Sequence, residues 1–152
     1  MEVDEITEKI VHAAYKTHTG LGPGLLESVY ETVMVHELTK FGFIVEKQKI
    51  IPFEYDGLFF DEGLRVDLLV NGLVVVELKS VERMAQVHYK QVLTYIRLLN
   101  LQVGLLINFG APLLKDGLHR VVNQYKPSAT SRLRVNQKTD FTVPLFTFIV
   151  FR

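Results

Sequence analysis

The stretch Leu64-Arg65-Val66-Asp67-Leu68-Leu69-Val70-Asn71-Gly72-Leu73-Val74-Val75-Val76-Glu77-Leu78-Lys79 decides how this chain reads. It predicts two strands, Leu64 to Val70 and Leu73 to Leu78, flanking a turn at Asn71-Gly72. Asp67 and Glu77 interrupt segments otherwise made of Leu and Val, where an unpaired charge is costly. Strand side chains alternate, so Glu77 and Lys79 share a face and Leu78 takes the other. The turn decides whether Asp67 joins them. A two-residue Asn71-Gly72 loop pairs Asp67 with Val76 and sends it to the wrong face. A three-residue loop, Val70-Asn71-Gly72 with Gly72 left-handed, pairs Leu69 with Leu73. Asp67 then sits opposite Val75, diagonal to Glu77 and on its face.

Two carboxylates at that distance repel each other unless a cation lies between them, and their oxygens suit a hard ion such as Mg²⁺ or Mn²⁺. The Lys79 ammonium could position or help activate a water that attacks phosphorus, while the ion neutralises charge on the phosphoryl group. A plain Glu-x-Lys strand is a weak signal alone; the apolar setting gives it weight.

Around this hairpin the hydrophobic period alternates between helix and strand. Ile6, Ile10, Ala13 and Ala14 predict a helix over 3–18. Thr19 to Gly24 breaks it, and without the Lys-Ser/Thr of a phosphate loop this glycine-rich turn reads as a connector. A second helix runs from about Leu25 to Lys40, with Tyr30, Met34, Leu38 and Phe41 as its buried stripe and Gly42 as terminator. Glu27 falls on the same stripe by spacing. As a first-turn carboxylate it could simply serve the helix dipole; as a third ligand it would reach over the sheet.

Ile44 to Tyr55 predicts one or two strands, with Pro52 marking an edge or a bend. Residues 84–100 return to helical spacing, which sets His88, Gln91 and Tyr95 on one face. An amide and a phenol there can bind phosphate or orient other groups, although both are common at core margins. His88 alone reads as structural. Val103 to Asn108 is a short apolar strand suited to the centre of a sheet. Further strands are expected at Arg120 to Asn123 and Phe141 to Phe151. No repeat or linker divides the 152 residues, so a single domain is expected.

Composition bounds the function. With 48% hydrophobic and 22% charged residues the chain is globular, and no apolar run approaches the roughly 20 residues of a membrane span. The acidic start lacks the layout of a signal peptide, and cysteine is absent, which excludes disulfides and thiolate metal sites. A cytoplasmic location is expected. Net charge is zero, which argues against life on bulk phosphate attraction. The distribution is uneven: residues 1–37 hold seven acids and two lysines, residues 113–152 seven Lys/Arg and two acids.

Three short motifs, in order, resemble a known family. Gly24-Leu25-Leu26-Glu27-Ser28-Val29-Tyr30 is similar to the signature of GxxExxY proteins, a branch of the PD-(D/E)xK nuclease superfamily. Asp67 with Glu77-Leu78-Lys79 resembles the superfamily's catalytic core, with Val66 where its name has proline. Gln91-Val92-Leu93-Thr94-Tyr95 resembles the Gln-x-x-x-Tyr motif of its RecB-type exonucleases. The resemblance covers about residues 5–123 and leaves 124–152 unmatched. It implies an α/β restriction-endonuclease-like core, a central mixed sheet flanked by helices, and cleavage of DNA. It further implies Glu27, Asp67, Glu77 and the Leu78 backbone carbonyl as metal ligands and Lys79 as the catalytic lysine. Tyr30, Gln91 and Tyr95 would support the site or the bound strand. A homo-oligomer could form through the C-terminal segment. Two rivals stand beside this reading. One is a nucleic-acid-binding module of the same fold without useful turnover. The other is a structural protein whose buried carboxylates form ion pairs, such as Arg65 with Glu77.

Overall fold

The computed structural model describes residues 1–123 and 147–150. Two helices open the chain, α1 (Val3–Leu21) and α2 (Glu27–Lys40), followed by strands β1 (Val45–Tyr55), β2 (Leu58–Val70) and β3 (Val74–Lys79). Helix α3 (Gln86–Leu98) crosses to β4 (Val103–Asn108), and the short α4 (Leu114–Gly117) leads into β5 (Leu118–Val122) and β6 (Thr147–Val150). The strands form one six-stranded sheet in sequence order. β3 and β4 run parallel through the α3 crossover, β5 and β6 also run parallel, and the other pairs are antiparallel. This is the mixed sheet with flanking helices that the resemblance implied.

Side-chain alternation on β3 sorts the core into two layers. Val74, Val76 and Leu78 pack with Ile6, Ile10, Tyr30, Met34 and Leu38 of α1 and α2. Val75 packs with Val92, Leu93 and Ile96 of α3 on the opposite face. Each such side chain, fully buried, contributes about 1.5–3 kcal/mol. α3 lies close on the sheet because Gly104 faces it: a Cβ there would meet Val92 Cγ1 at 2.5 Å.

The β2–β3 turn has the odd length the site requires, shifted by one residue from expectation. Val70 pairs with Val74 and Leu68 with Val76, so the loop is Asn71-Gly72-Leu73. Asn71 and Gly72 both have positive φ, 51° and 66°, as a primed turn demands, and Leu73 is the additional residue. Asn71 also fixes the start of β1, accepting at Oδ1 from Ile44 N–H and donating its own N–H to Ile44 O, each at 2.8 Å.

Beyond this core, β1 and β2 continue as a two-stranded ribbon. The pairing shifts between Ile51 and Phe53, at Pro52 of this edge strand, where the sequence predicted an edge or a bend. Several boundaries differ from the sequence reading: α1 runs on to Leu21, β3 spans Val74–Lys79, and β5 is Leu118–Val122 rather than Arg120 to Asn123. β2 begins at Leu58 rather than Leu64, and Phe41 caps α2 outside the buried stripe, 37% exposed against the His12 ring. Among the described residues no helix is long and apolar enough to cross a membrane. Of the expected strand over Phe141 to Phe151, Thr147–Val150 is present; the rest of 124–152, including the expected oligomer contact, lies outside the described residues.

Candidate active site

The site lies where the β2–β3 ladder ends. Regular pairing stops at Leu68↔Val76, and the next slot is filled by a side chain: Asp67 Oδ2 accepts the Leu78 N–H at 2.8 Å. β2 twists at this point, for Leu68 packs in the α1/α2 layer and Val66 in the α3 layer. Asp67, between them, is thereby turned into the gap toward β3. The expectation that Asp67, Glu77 and Lys79 all project from one sheet face is corrected in this respect. Glu77 and Lys79 share the Val75 side of β3, and Asp67 meets them from the gap rather than from across a flat hairpin. The register also moves Asp67 to the position opposite Glu77, not Val75, because the loop starts one residue later than expected.

Glu77 is 4% exposed. Its Oε1 lies 3.6 Å from Lys79 Nζ, and its Oε2 has no hydrogen-bond partner among the described residues. Burial first and the Asp67 carboxylate second push its pKa up to about 8. Burial likewise raises Asp67, opposed by the Leu78 N–H and Gln48 and reinforced by Glu31. The Arg65–Glu77 ion pair is not formed. The observed register carries Arg65 away from Glu77, and the cation beside Glu77 is Lys79.

Leu78 offers its carbonyl to the same gap. Lys79 O accepts from Phe109 N–H at 2.8 Å and so faces β4. Successive carbonyls of a strand point to opposite sides, which directs Leu78 O toward β2 and Asp67. From α3, Gln91 Nε2 donates to the Tyr95 hydroxyl at 2.7 Å. Tyr95 keeps its proton well into alkaline pH, chiefly through burial, with the Glu77 and Asp67 carboxylates adding to the shift. His88 accepts the Ala85 N–H at Nδ1, closing the first turn of α3. Burial and Lys79 hold it below the usual imidazole pKa, and the bond accepted at Nδ1 leaves the ring proton of the neutral form on Nε2.

Two residues of the resemblance motif stand elsewhere than expected. Glu27 is exposed at the first position of α2, on the rim of a cleft of about 470 Å³ that Glu31, Gln48, Arg65, Asp67 and Leu78 also line. Its spacing from Tyr30 is helical, yet at the first position of α2 it faces the cleft and solvent rather than the core. Tyr30 is fully buried, stacked on Phe109 at 4.4 Å, and its hydroxyl is used by Gly22 O (2.5 Å) and Leu25 N–H (3.1 Å). It braces the glycine-rich turn and has no surface for a substrate.

The sequence reading missed Glu31, Gln48 and Asn108. Glu31, one residue past Tyr30, is the acid of α2 that is buried; it pairs with Lys47 at 3.4 Å and accepts from Gln48. Asn108 is 2% exposed and pins the loop after Lys79, bonding Val81 N–H, Val81 O and Gly110 N–H at 2.9–3.0 Å. Only the Asn108 signal, a polar end to an apolar strand, was visible in sequence.

A family model described as the PD-(D/E)XK nuclease superfamily matches residues 4–121. The chain belongs to the PD-(D/E)XK nuclease superfamily. No curated protein and no solved structure matches it in the corresponding comparisons. Nuclease chemistry with a divalent ion is usual for this superfamily, and the residues fit such an ion. Burial raises both acids, Asp67 with help from Glu31 and Glu77 with help from Asp67, and Glu77 Oε2 is an acceptor without a donor among the described residues, which a cation would satisfy. Among the described residues no three Asp, Glu or His side chains gather tightly enough to hold an ion alone. A backbone oxygen such as that of Leu78 is therefore needed beside the two carboxylates.

Proposed function

We propose that this PD-(D/E)XK protein is a divalent-metal-dependent nuclease of the GxxExxY branch that hydrolyses phosphodiester bonds of DNA. The observation that carries the reading is the meeting of Asp67, Glu77 and Lys79 where the β2–β3 ladder ends, with an acceptor of Glu77 left without a donor among the described residues. Asp67, Glu77 and the Leu78 carbonyl would hold Mg²⁺ or Mn²⁺. When bound, the ion supplies positive charge that stabilises the phosphoryl group under attack. Lys79, beside Glu77, orients the attacking water and meets the charge that grows in the transition state. Gln91 and Tyr95 present an amide and a protonated phenol to a phosphate or to the carboxylates themselves.

A polyanion has a favourable approach over α3. From Arg83 to Lys115 the chain contains no Asp or Glu, and Lys90 and Arg97, seven residues apart on one stripe of the helix, are exposed. This stretch carries no acid to repel a polyanion.

The second reading, a nucleic-acid-binding module of the same fold, is favoured by the exposed Glu27 and by the absence, among the described residues, of three acidic or histidine side chains grouped to hold an ion. An Mn²⁺-dependent cleavage assay on single- and double-stranded DNA, with Asp67→Ala as control, separates the two. Cleavage that vanishes in the variant supports the nuclease. Salt-sensitive DNA binding with no cleavage by either protein supports the binding module.

A further inference from the structure

Gln48 stands inside β1 with φ +49°, a left-handed backbone that residues with a Cβ adopt reluctantly. No residue is inserted there: Lys47 still faces Leu68 and Lys49 still faces Val66. The distortion falls opposite Asp67, at the point where β2 itself turns over. Its outcome is the direction of one side chain. Gln48 Nε2 donates to Asp67 Oδ1 at 3.2 Å and also to Glu31 Oε2 of α2. β1, β2 and α2 are thus joined through a single amide, at the edge of the cleft that leads to Leu78.

The chemistry of that amide matters. Glu31 and Asp67 repel each other across it. A carboxamide nitrogen carries two N–H donors and no charge, so it can hold two carboxylates near each other while leaving both negative. A lysine in its place would hold them as well but would cancel the field that attracts a cation. An alanine would release both. Backbone strain that persists at a site is retained where the surrounding structure enforces it, and here it serves a contact rather than a turn.

We infer that Gln48 is a positioning residue that clamps Glu31 to Asp67, fixing the Asp67 carboxylate and adding the charge of Glu31 to the cation site without making Glu31 a ligand. This rests on the proposed metal site at Asp67 and Glu77. Lys47, which pairs with Glu31 from the neighbouring position, stays half-exposed and screens that charge only from outside.

Calorimetric Mn²⁺ titration of the full chain tests it, with thermal melts on the same samples. Gln48→Gly removes the amide but suits the left-handed backbone; Gln48→Ala removes the amide and keeps the backbone mismatch. Both variants should bind Mn²⁺ about 10- to 100-fold more weakly, as expected when a partner of a metal-ligating group is lost. The glycine variant should nevertheless melt no lower than the alanine variant. Gln48→Lys should keep its fold and lose at least as much affinity. Wild-type affinity in Gln48→Gly would overturn the clamp and leave Gln48 a structural residue. Asp67→Ala, measured alongside, keeps the two levels apart. If it also binds like wild type, the metal-site reading itself falls; if it alone loses the ion, only the clamp falls.

Discussion

The two faces of β3 differ sharply in what they bury. Val74, Val76 and Leu78 point into the α1/α2 layer and form unbroken apolar core. Val75, Glu77 and Lys79 take the α3 side, where the core gives way after one residue to a buried acid and a partly buried lysine. Both faces are formed by six consecutive residues, so propensity and pairing are the same for each. The difference lies in what burial is used for. One face holds the sheet to its helices; the other keeps charge in a dry place at some cost to stability, which is how functional sites differ from cores.

Substitutions on the two faces should therefore fail in opposite ways. Lys79→Ala should lower turnover by about 10²- to 10⁴-fold, the range for a group acting in proton transfer or on transition-state charge. Its metal affinity should persist or rise, because a positive charge leaves the cation's neighbourhood. Steady-state kinetics with a metal titration checks this. If Lys79 were instead the partner of a structural ion pair, the same change would cost about 3–5 kcal/mol of stability and leave no metal response to measure.

Leu78→Ala should do the reverse. It empties a fully packed position and should cost about 2–5 kcal/mol in urea denaturation. The response to Mn²⁺ should survive in the folded variant, since the backbone carbonyl of Leu78, not its side chain, faces Asp67. Loss of the ion response with only a small change in stability would reverse the assignment of the two faces.

The acid on the α3 side also sets a pH dependence for the metal-free protein. Glu77 is raised to about 8 by burial and by Asp67, so the folded state binds its proton more tightly than the unfolded chain. That contribution is complete below the ordinary Glu pKa and is lost as pH rises through about 8. Thermal melts without metal should therefore fall between pH 5 and 8. Glu77→Gln, which mimics the neutral acid, should flatten the curve, and Mg²⁺ should flatten it in the wild type by favouring the ionised form. A metal-free melting curve with the same slope in both proteins would remove Glu77 as its source.

The smallest effect concerns the exposed rim. Glu27→Gln should leave Mn²⁺ affinity nearly unchanged and cost about 0.3–1 kcal/mol, the value of a carboxylate at a helix N-terminus. Glu31→Gln should weaken the ion more than it weakens the fold. The opposite ranking in a paired calorimetric titration would return Glu27 to the ligand set.

What the sequence disclosed follows the same division. Period-two runs and the helical stripes placed the sheet, its helices and the shared face of Glu77 and Lys79, because each depends on local alternation. The need for an odd loop was legible from Glu77 and Asp67 together, but which residue is additional depends on Asn71 adopting positive φ, and Asn-Gly permits either register. Glu27 read as buried because helical spacing from Tyr30 cannot tell that the first residue of α2 stays open to the cleft and solvent. Glu31 and Gln48 were invisible for a related reason. A Glu beside a buried Tyr and a Gln between two lysines acquire a role only when β1, β2 and α2 converge.

The central claim, that Asp67 and Glu77 hold a divalent ion between β2 and β3, is tested most directly by titrating Mn²⁺ into the wild-type chain and into Asp67→Ala by calorimetry at neutral pH. The account predicts saturable binding by the wild type and no comparable binding by Asp67→Ala. It also predicts a thermal stabilisation of the wild type alone that grows with the logarithm of ion concentration above Kd. Equal binding by the two proteins, or none by the wild type, would contradict it.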